Sequence, residues 1–503
     1  MSRPHPRGPA RAAWAIIGGG ASGTAMLQAL AAHVREGGRV PGPVVLFEAG
    51  ERPGRGLPYG ETADPHHTMG RTRTLRRDKG RQLEARLAQA VATLRGAGVA
   101  LELRTRTPVL DLEPTAEGHR LHTGEGQREA ERVVLATGHW HVPRLAHLSS
   151  WVDWQWDVRR LRAAIEDGED VLILGAQQSA LDVATSLGLQ RAGRPGMGRI
   201  HLVSRLGVLP GVFGHVGRKE VATLSLEALT RAPQVTLEAL LEAVVRDAEA
   251  VAGRSLRLRE WTPERLAART AGLDGTRLLR HELSLAARSH RQKRPRPWHP
   301  VLWHGLPRFY DLLGRLSAED RLRLAAHWTP LLRHAEAIHP EQAARVLALL
   351  EAGVVELHAL GPTIRLGEAA GRVWAEGPRG RVEAARVVDA RGPDPRLDRA
   401  TPIGPVQRLL QRDVIASGRV AFRDRATLPA TLPEGWSIER RGDTDWLITG
   451  GLWVDPETFA VRDPQGRTRG LWALGPLTVG QFPFYAGLWA TREAAGRIVR
   501  AAG

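Results

Sequence analysis

Short unbroken apolar runs alternate with helically spaced ones along this chain, and their order predicts its elements. The first run ends at Ile17, meets Gly18-Gly19-Gly20-Ala21-Ser22-Gly23 and gives way to a helical pattern, which reads as strand, tight turn and helix. Val44-Val45-Leu46-Phe47 reads as a second buried strand. From Gln82 to Leu94 the residues Leu83, Leu87, Ala90, Val91 and Leu94 share one helical face, and Gly96-Ala97-Gly98 stops the helix. Asp170–Leu174 opens another strand and turn, followed by a helix through Leu187, and Ile200–Arg205 is a further strand. From about Leu206 to Leu350, Leu, Ala and Arg recur at helical spacing, interrupted by loops at 291–307 and 327–340. Toward the C-terminus two strand-like pieces flank the turn Asp463–Gly466, Leu471–Leu474 runs into Gly475-Pro476, and a helix is expected from about Ala486 to Val499.

Two stretches echo each other. Residues 98–138 and 353–392 each carry short alternating strands and polar turns, then an apolar strand that ends Arg-Val-Val-(Leu/Asp)-Ala-(Thr/Arg)-Gly, at Gly138 or Gly392. A repeat this widely separated is no solenoid; it suits two β-meander crossovers in a dinucleotide-binding framework. The expected fold is therefore α/β, with two Rossmann-like dinucleotide-binding domains, β-meander crossovers and a helical insertion. The expected boundaries are a disordered lead-in at 1–11, a first nucleotide domain at 12–160 that returns at 351–503, a second at 165–290, and a helical and loop insertion at 291–350.

The turns carry the candidate chemistry. Gly18, Gly20 and Gly23 fit G-x-G-x-x-G, in which the first glycine allows the turn, the second admits a pyrophosphate and the third lets helix pack on strand. The helix start then offers free N–H groups and a positive dipole end. Glu48 closes the second strand, placed for a ribose hydroxyl; its spacing of 30 residues from Gly18 exceeds the usual roughly 20, the excess lying in the polar REGGRVPG insert. The second turn, Gly175-Ala176-Gln177-Gln178-Ser179-Ala180, has Gln177 where the middle glycine stands and Ala180 at the third position. Arg205, 30 residues past Gly175, occupies the place where an acid suits NAD and Arg suits the 2′-phosphate of NADP. A strand end in so Arg-rich a chain can also carry Arg without purpose.

Composition narrows the function classes. With no cysteine the chain has no disulfide, thiolate metal site, catalytic Cys or dithiol shuttle. The net charge is +17, but the 71 basic residues are scattered and almost all Arg, so solvated faces and phosphate-bearing cofactors explain them better than nucleic acid. No apolar run is long enough to span a membrane, and the expectation is a cytoplasmic protein, with homo-oligomerisation left open. The loop Glu51–Gly60 caps the fold or lines a ligand, and Arg71, Arg73, Arg76 and Arg77 suggest a solvated or cofactor-facing edge. His299, His304, His327, His334 and His339 are too irregularly spaced for a metal site, and none is expected. There is no G-x-S-x-G nucleophile elbow, and no catalytic residue is nominated. Trp140, Trp151, Trp154, Trp156, Trp298 and Trp303 suit packing at a domain seam more than a dry pocket wall, and Arg308, Arg333 or His334 could meet an acidic or amino-acid substrate.

Taken together, IIGGGASG, RPGRGLPYG (52–60), VVLATGHW with Trp156-Asp157, VLILGAQQSALDVATSL, VVDARGP and LWALGPLTVGQF resemble the two-dinucleotide-domain FAD/NAD(P)-binding flavoproteins. The resemblance spans nearly the whole chain and is to the bacterial branch related to N-hydroxylating, class B-type flavin monooxygenases. It implies a glutathione-reductase-like, three-layer ββα plan with FAD in the first domain and NADPH, or NADH, in the second. By it, Gly18, Gly20, Ala21, Ser22, Gly23 and Glu48 hold the FAD pyrophosphate and ribose. Gly56 and Tyr59 lie along the flavin, Thr137 and Gly138 sit at the return of the first domain, and Gly475, Pro476 and Leu477 approach the flavin end. Gly175, Gln178, Ser179, Ala180 and Arg205 would hold the nicotinamide cofactor. The activity implied is NADPH-driven hydroxylation of a small amine or amino-acid-like substrate by O2 through a flavin hydroperoxide. A flavin reductase or dehydrogenase without oxygenation, and a non-catalytic flavin-binding protein, are the alternatives. The chain departs from the family at His66-His67-Thr68-Met69, where relatives often carry His-Leu-Leu-Asn, at Gly475-Pro476, where an acid is usual, and at Gln177.

Overall fold

Strand β1 (Ala12–Ile17) is buried at all its positions, as its unalternating Trp, Ala and Ile require of a parallel strand covered on both faces. It runs parallel to β2 (Val44–Phe47) on one side and to the end of β6 (Gly126–Leu135) on the other. With β3 (Leu101–Arg104) outside β2, and β18 (Thr468–Ala473) and β17 (Ala460–Arg462) outside β6, the order is β17-β18-β6-β1-β2-β3. The hairpin of β4 (Val109–Thr115) and β5 (Gly118–Thr123) hangs from β6. Helix α1 (Ala21–Arg35) packs between α2 (Arg76–Gly96) and the C-terminal helix Leu488–Ala502. The structure, a computed structural model, describes residues 11–503 except 155, 218–222, 257–272, 327–332, 393, 398–402, 429–430 and 483–486. The expected lead-in, apart from Arg11, His327 and the expected helix start at Ala486 lie outside the described residues; the described helix begins at Leu488.

The second sheet is wholly parallel: β7 (Val171–Leu174) lies between β13 (Arg386–Asp389) and β8 (Ile200–Ser204), and β9 (Val355–Ala359) forms the far edge. Helix α4 (Gln178–Arg191) follows β7; α3 (Val158–Ala163) precedes it. The antiparallel meander of β10 (Arg365–Ala369), β11 (Arg372–Gly377) and β12 (Gly380–Ala384) packs Val373, Ala375 and Val382 onto Leu172, Leu174 and Val203 of the sheet.

The echo between 98–138 and 353–392 is thus a structural repeat. β1, β2, β3 and the returning β6 of the first sheet correspond to β7, β8, β9 and the returning β13 of the second. This corrects two expected boundaries. Residues 355–389 complete the second sheet and do not belong to the returning part of the first, because β7 needs hydrogen-bonded neighbours on both sides and takes β13 as one of them. The helical insertion likewise begins soon after β8, at Leu224–Leu229, and includes Leu237–Ala252 and Gly275–Gln292, which fall within the expected second domain at 165–290. A small antiparallel sheet, β14 (Ser417–Ala421), β16 (Thr444–Leu452) and β15 (Ser437–Arg441) in that order, was not anticipated. No helix among the described residues is long and apolar enough to cross a membrane.

Candidate functional site

A cleft of about 810 Å³ opens where β1 passes into α1. Gly18 makes the turn at φ +107°, and a Cβ there would lie 2.3 Å from the Ala136 carbonyl oxygen, so only glycine lets the turn pass beneath β6. A Cβ on Gly23 would lie 2.0 Å from the Gly18 oxygen, the close helix-to-turn contact expected of the third glycine. Gly20 caps α1 without any side-chain hydrogen bond, leaving the first N–H groups of the helix to a ligand. Across the cleft Gly56, at φ +67°, comes so near that a Cβ on Gly20 would sit 3.2 Å from its Cα. The loop that carries Gly56 is held to α2 by Arg55, which donates to Glu84 at 2.6 and 2.9 Å.

Glu48, at the end of β2, accepts from the Gly19 N–H at 2.8 Å and the Gly50 N–H at 2.6 Å and lines the cleft. Gly18, Gly20, Ala21, Ser22, Glu48, Gly56, Tyr59, Thr137, Gly138 and Pro476 all line it. Gly475 and Leu477 stand behind: a Cβ on Gly475 would lie 2.5 Å from Ser22 Oγ, and Leu477 is fully buried. Thr137 Oγ1 and His139 Nδ1 are buried without a hydrogen-bond partner among the described residues. Burial, aided by the charge of Arg76, pushes the His139 imidazole down to about 4, so it is neutral at pH 7; burial likewise raises the Tyr59 phenol, against the pull of Arg76.

Arg76 lies close to Tyr59 and His139 of this cleft, where the second unit arrives. Its Nη2 is 2.8 Å from Asp182 Oδ2, with the two side chains 12% and 1% exposed. Gln178 donates to the other Asp182 oxygen at 3.0 Å, and His67 Nε2 lies 2.8 Å from Ser186 Oγ. The polar segment after the Gly56 loop is therefore pinned onto α4. Of the four arginines expected at a solvated or cofactor-facing edge, two are not solvated: Arg76 is in this ion pair, and Arg71 lies over Phe213 and Trp303, 5.1 and 4.6 Å from their ring centroids. Arg77 donates to the Ala63 carbonyl at 2.6 Å, and Arg73 meets Glu341 at the surface.

The second turn repeats the first. Gly175 has φ +112°, with a prospective Cβ 2.9 Å from the Ala390 oxygen, as Gly18 has with Ala136. Gln177, the residue that would crowd a pyrophosphate unless it points away, turns its Nε2 toward the Val208 carbonyl at 3.4 Å. Ala180 is fully buried, as close packing of α4 demands. Ser179 lines a smaller cavity, about 50 Å³, with Trp140, Trp151, Trp154 and Trp156, whereas the Gln178 amide is committed to Asp182. Arg205 is exposed just past β8, one strand from Gly175, with no acidic partner among the described residues.

Other expected roles are reassigned. Arg333 is buried against Glu282 at 3.6 Å, Arg308 pairs with Glu493 at 2.8 Å, and His334 packs its ring on Trp298. Trp140 and Trp154 are buried and donate to the carbonyls of Arg396 and Asp389, which makes them seam residues. The Arg76–Asp182 pair was missed, its partners lying 106 residues apart; the buried-type pattern of α4 around a lone Asp182 was the available signal.

The cleft fits FAD. The uncapped α1 start faces a wall in which a Cβ at Gly20 would press on Gly56, and unpartnered polar atoms line its far end. Residues 15–74 match a family model described as FAD-NAD(P)-binding, and residues 80–193 one described as pyridine nucleotide-disulphide oxidoreductase. Curated proteins give no match. Among solved structures, the reduced form of ornithine hydroxylase from Pseudomonas aeruginosa is similar at 11% identity and TM-score 0.48, over 98% of this chain and 99% of that one. L-lysine 6-monooxygenase from Pseudomonas syringae is similar at 14% identity and TM-score 0.47, over 98% and 99%. Thioredoxin reductase from T. acidophilum is similar at 12% identity and TM-score 0.38, over 97% of each chain. By its two matched family models and its repeated nucleotide turns, this chain is an FAD- and NAD(P)-binding oxidoreductase.

Proposed function

We propose that this protein uses NADPH to reduce bound FAD and then hydroxylates a small nucleophilic substrate, an amine or amino-acid-like compound, with O2. The carrying observation is that a chain built around two nucleotide turns contains no cysteine, so electrons that reach the flavin have no dithiol to enter and must leave to a diffusible acceptor. In the overall reaction NADPH supplies two electrons, one oxygen atom goes to the substrate and the other leaves as water. FAD, when bound, supplies the electron carriage and the oxygen chemistry.

The chain's own residues bind and orient. The α1 start holds the pyrophosphate through its N–H groups and dipole, with Gly20 and Gly56 allowing the approach. Glu48 takes a ribose hydroxyl, and Tyr59, Thr137 and Gly138 border the flavin. Gly175, Gln178, Ser179 and Ala180 form the NADPH turn, and Arg205 meets the 2′-phosphate. Arg76, tied to Asp182 of α4, puts a fixed positive charge near Tyr59 and His139. The amine or amino-acid class follows the resemblance in the motifs.

Anaerobic titration with NADPH tests this reading. Flavin bleaching is expected, followed on aeration with a panel of amines by a hydroxylated product and less peroxide per NADPH consumed. Stoichiometric peroxide with every amine would make the protein a reductase instead. Absence of bleaching with either NADPH or NADH would overturn both.

A further inference from the structure

On the edge of the second sheet, apart from both cavities, three ligand-type side chains converge. His201 of β8 is the register partner of Glu356 of β9, and His358 lies two residues further along β9, so all three project from the same face. His201 Nδ1 is 3.1 Å from His358 Nε2, and Glu356 Oε2 lies 3.4 Å from the first nitrogen and 3.5 Å from the second.

We infer that His201, Glu356 and His358 bind a divalent transition metal, zinc in the first instance, with water completing the shell. The spacing is the argument. Ligand atoms about 2.0–2.1 Å from a tetrahedral zinc lie about 3.3–3.4 Å from one another, and the three distances here straddle that value. As hydrogen bonds the two carboxylate contacts are poor, since charge-assisted N–H···O bonds close to about 2.7–2.9 Å.

The surroundings suit a ligand set. Arg199 donates to the other carboxylate oxygen, Oε1, at 2.5 Å, which turns Oε2 toward the imidazoles, as outer-shell partners of metal ligands do. Asp170 adds a negative charge near His201 and accepts the Arg199 N–H at 2.7 Å. His201 is 9% exposed, while Glu356 and His358 are half-buried, leaving the outer side to water. His201 lies far in sequence from the other two, so the ion would tie edge strand β9 to β8 across the whole helical insertion. Its role is structural, since none of the three lines the cofactor cleft or the tryptophan cavity.

The test uses the full-length flavoprotein, stripped with a chelator and titrated with Zn2+ against a chromophoric competitor, then with Co2+. One saturable equivalent of Zn2+ is expected, with tetrahedral Co2+ bands beyond the oxidised flavin absorption and a rise in unfolding temperature on zinc addition. Glu356→Gln and His358→Asn, both at half-exposed positions, should weaken binding by about a hundredfold or more, given that loss of an outer-shell partner alone costs about 10–100-fold. They should retain full flavin content and lose the zinc-dependent thermal rise. No saturable binding, or wild-type affinity in both variants, would overturn the site.

Discussion

Gly18 and Gly20 stand two residues apart, yet a methyl group would act differently at each. On Gly18, at φ +107°, it strikes the Ala136 backbone 2.3 Å away; on Gly20, at φ −72°, it needs no left-handed backbone and presses only on Gly56 Cα, 3.2 Å away across the cleft. Gly20→Ala should therefore lower flavin occupancy while the apoprotein keeps its unfolding temperature. Gly18→Ala should lower both, because the turn itself has to move. Arg205→Ala should reduce NADPH preference over NADH by roughly 30-fold, the equivalent of about 2 kcal/mol for a charged hydrogen bond; an unchanged kcat/KM ratio would remove Arg205 from the site. These residues were legible because a glycine turn is local chemistry. Gln177 was legible only as a difficulty, since its orientation depends on Val208, which no spacing rule connects to it.

Between elements, the segment from His67 to Arg76 fastens the first unit to α4 through contacts that no periodicity reveals. Removing one partner of a buried ion pair leaves the other charge stranded, at a cost of about 3–5 kcal/mol. Arg76→Ala should accordingly lower the unfolding midpoint sharply, while Arg73→Ala, whose pair with Glu341 is exposed, should leave it nearly unchanged. Calorimetry of the two variants separates the cases. The two βαβ turns and the meander echo could be read from the chain because alternation, glycines and the shared Arg-Val-Val ending are visible in one dimension. That β13 pairs with β7 could not: its ending matched that of β6, but the sheet it joins is decided by register with a strand some 200 residues earlier. The small sheet of β14, β15 and β16 escaped notice for a similar reason, its two outer strands β14 and β15 being short and half-polar.

Across the whole molecule, charge and protonation set the conditions under which it stays folded. His119 and His299 are each 1% exposed and held neutral, chiefly by burial, down to about 4 and about 3. Below the unfolded value of 6.5 the unfolded chain binds protons that the folded one refuses. Their contribution, on the order of 3 kcal/mol each, is thus complete above that pH and falls away as the solution is acidified toward 4. Thermal midpoints across this window should decline, and His119→Asn should flatten the decline. Many of the arginines pair with acids, Arg144 with Asp389 and Arg412 with Asp111 among them, which fits their scatter along the sequence.

The order of the strands also dictates an order of birth. β7, β8, β9 and β13 all emerge before residue 390, whereas β6 must wait for β18, made after all of them, to cover its open side. During translation the later sheet is therefore complete first, and the earlier one is left with a bare hydrogen-bonding edge that invites misassociation. Ribosome-bound chains arrested just before β17 should resist protease across 171–389 and be cut within 12–135. A chaperone that binds nascent chains should find its client surface there, in the sheet that is begun first and finished last.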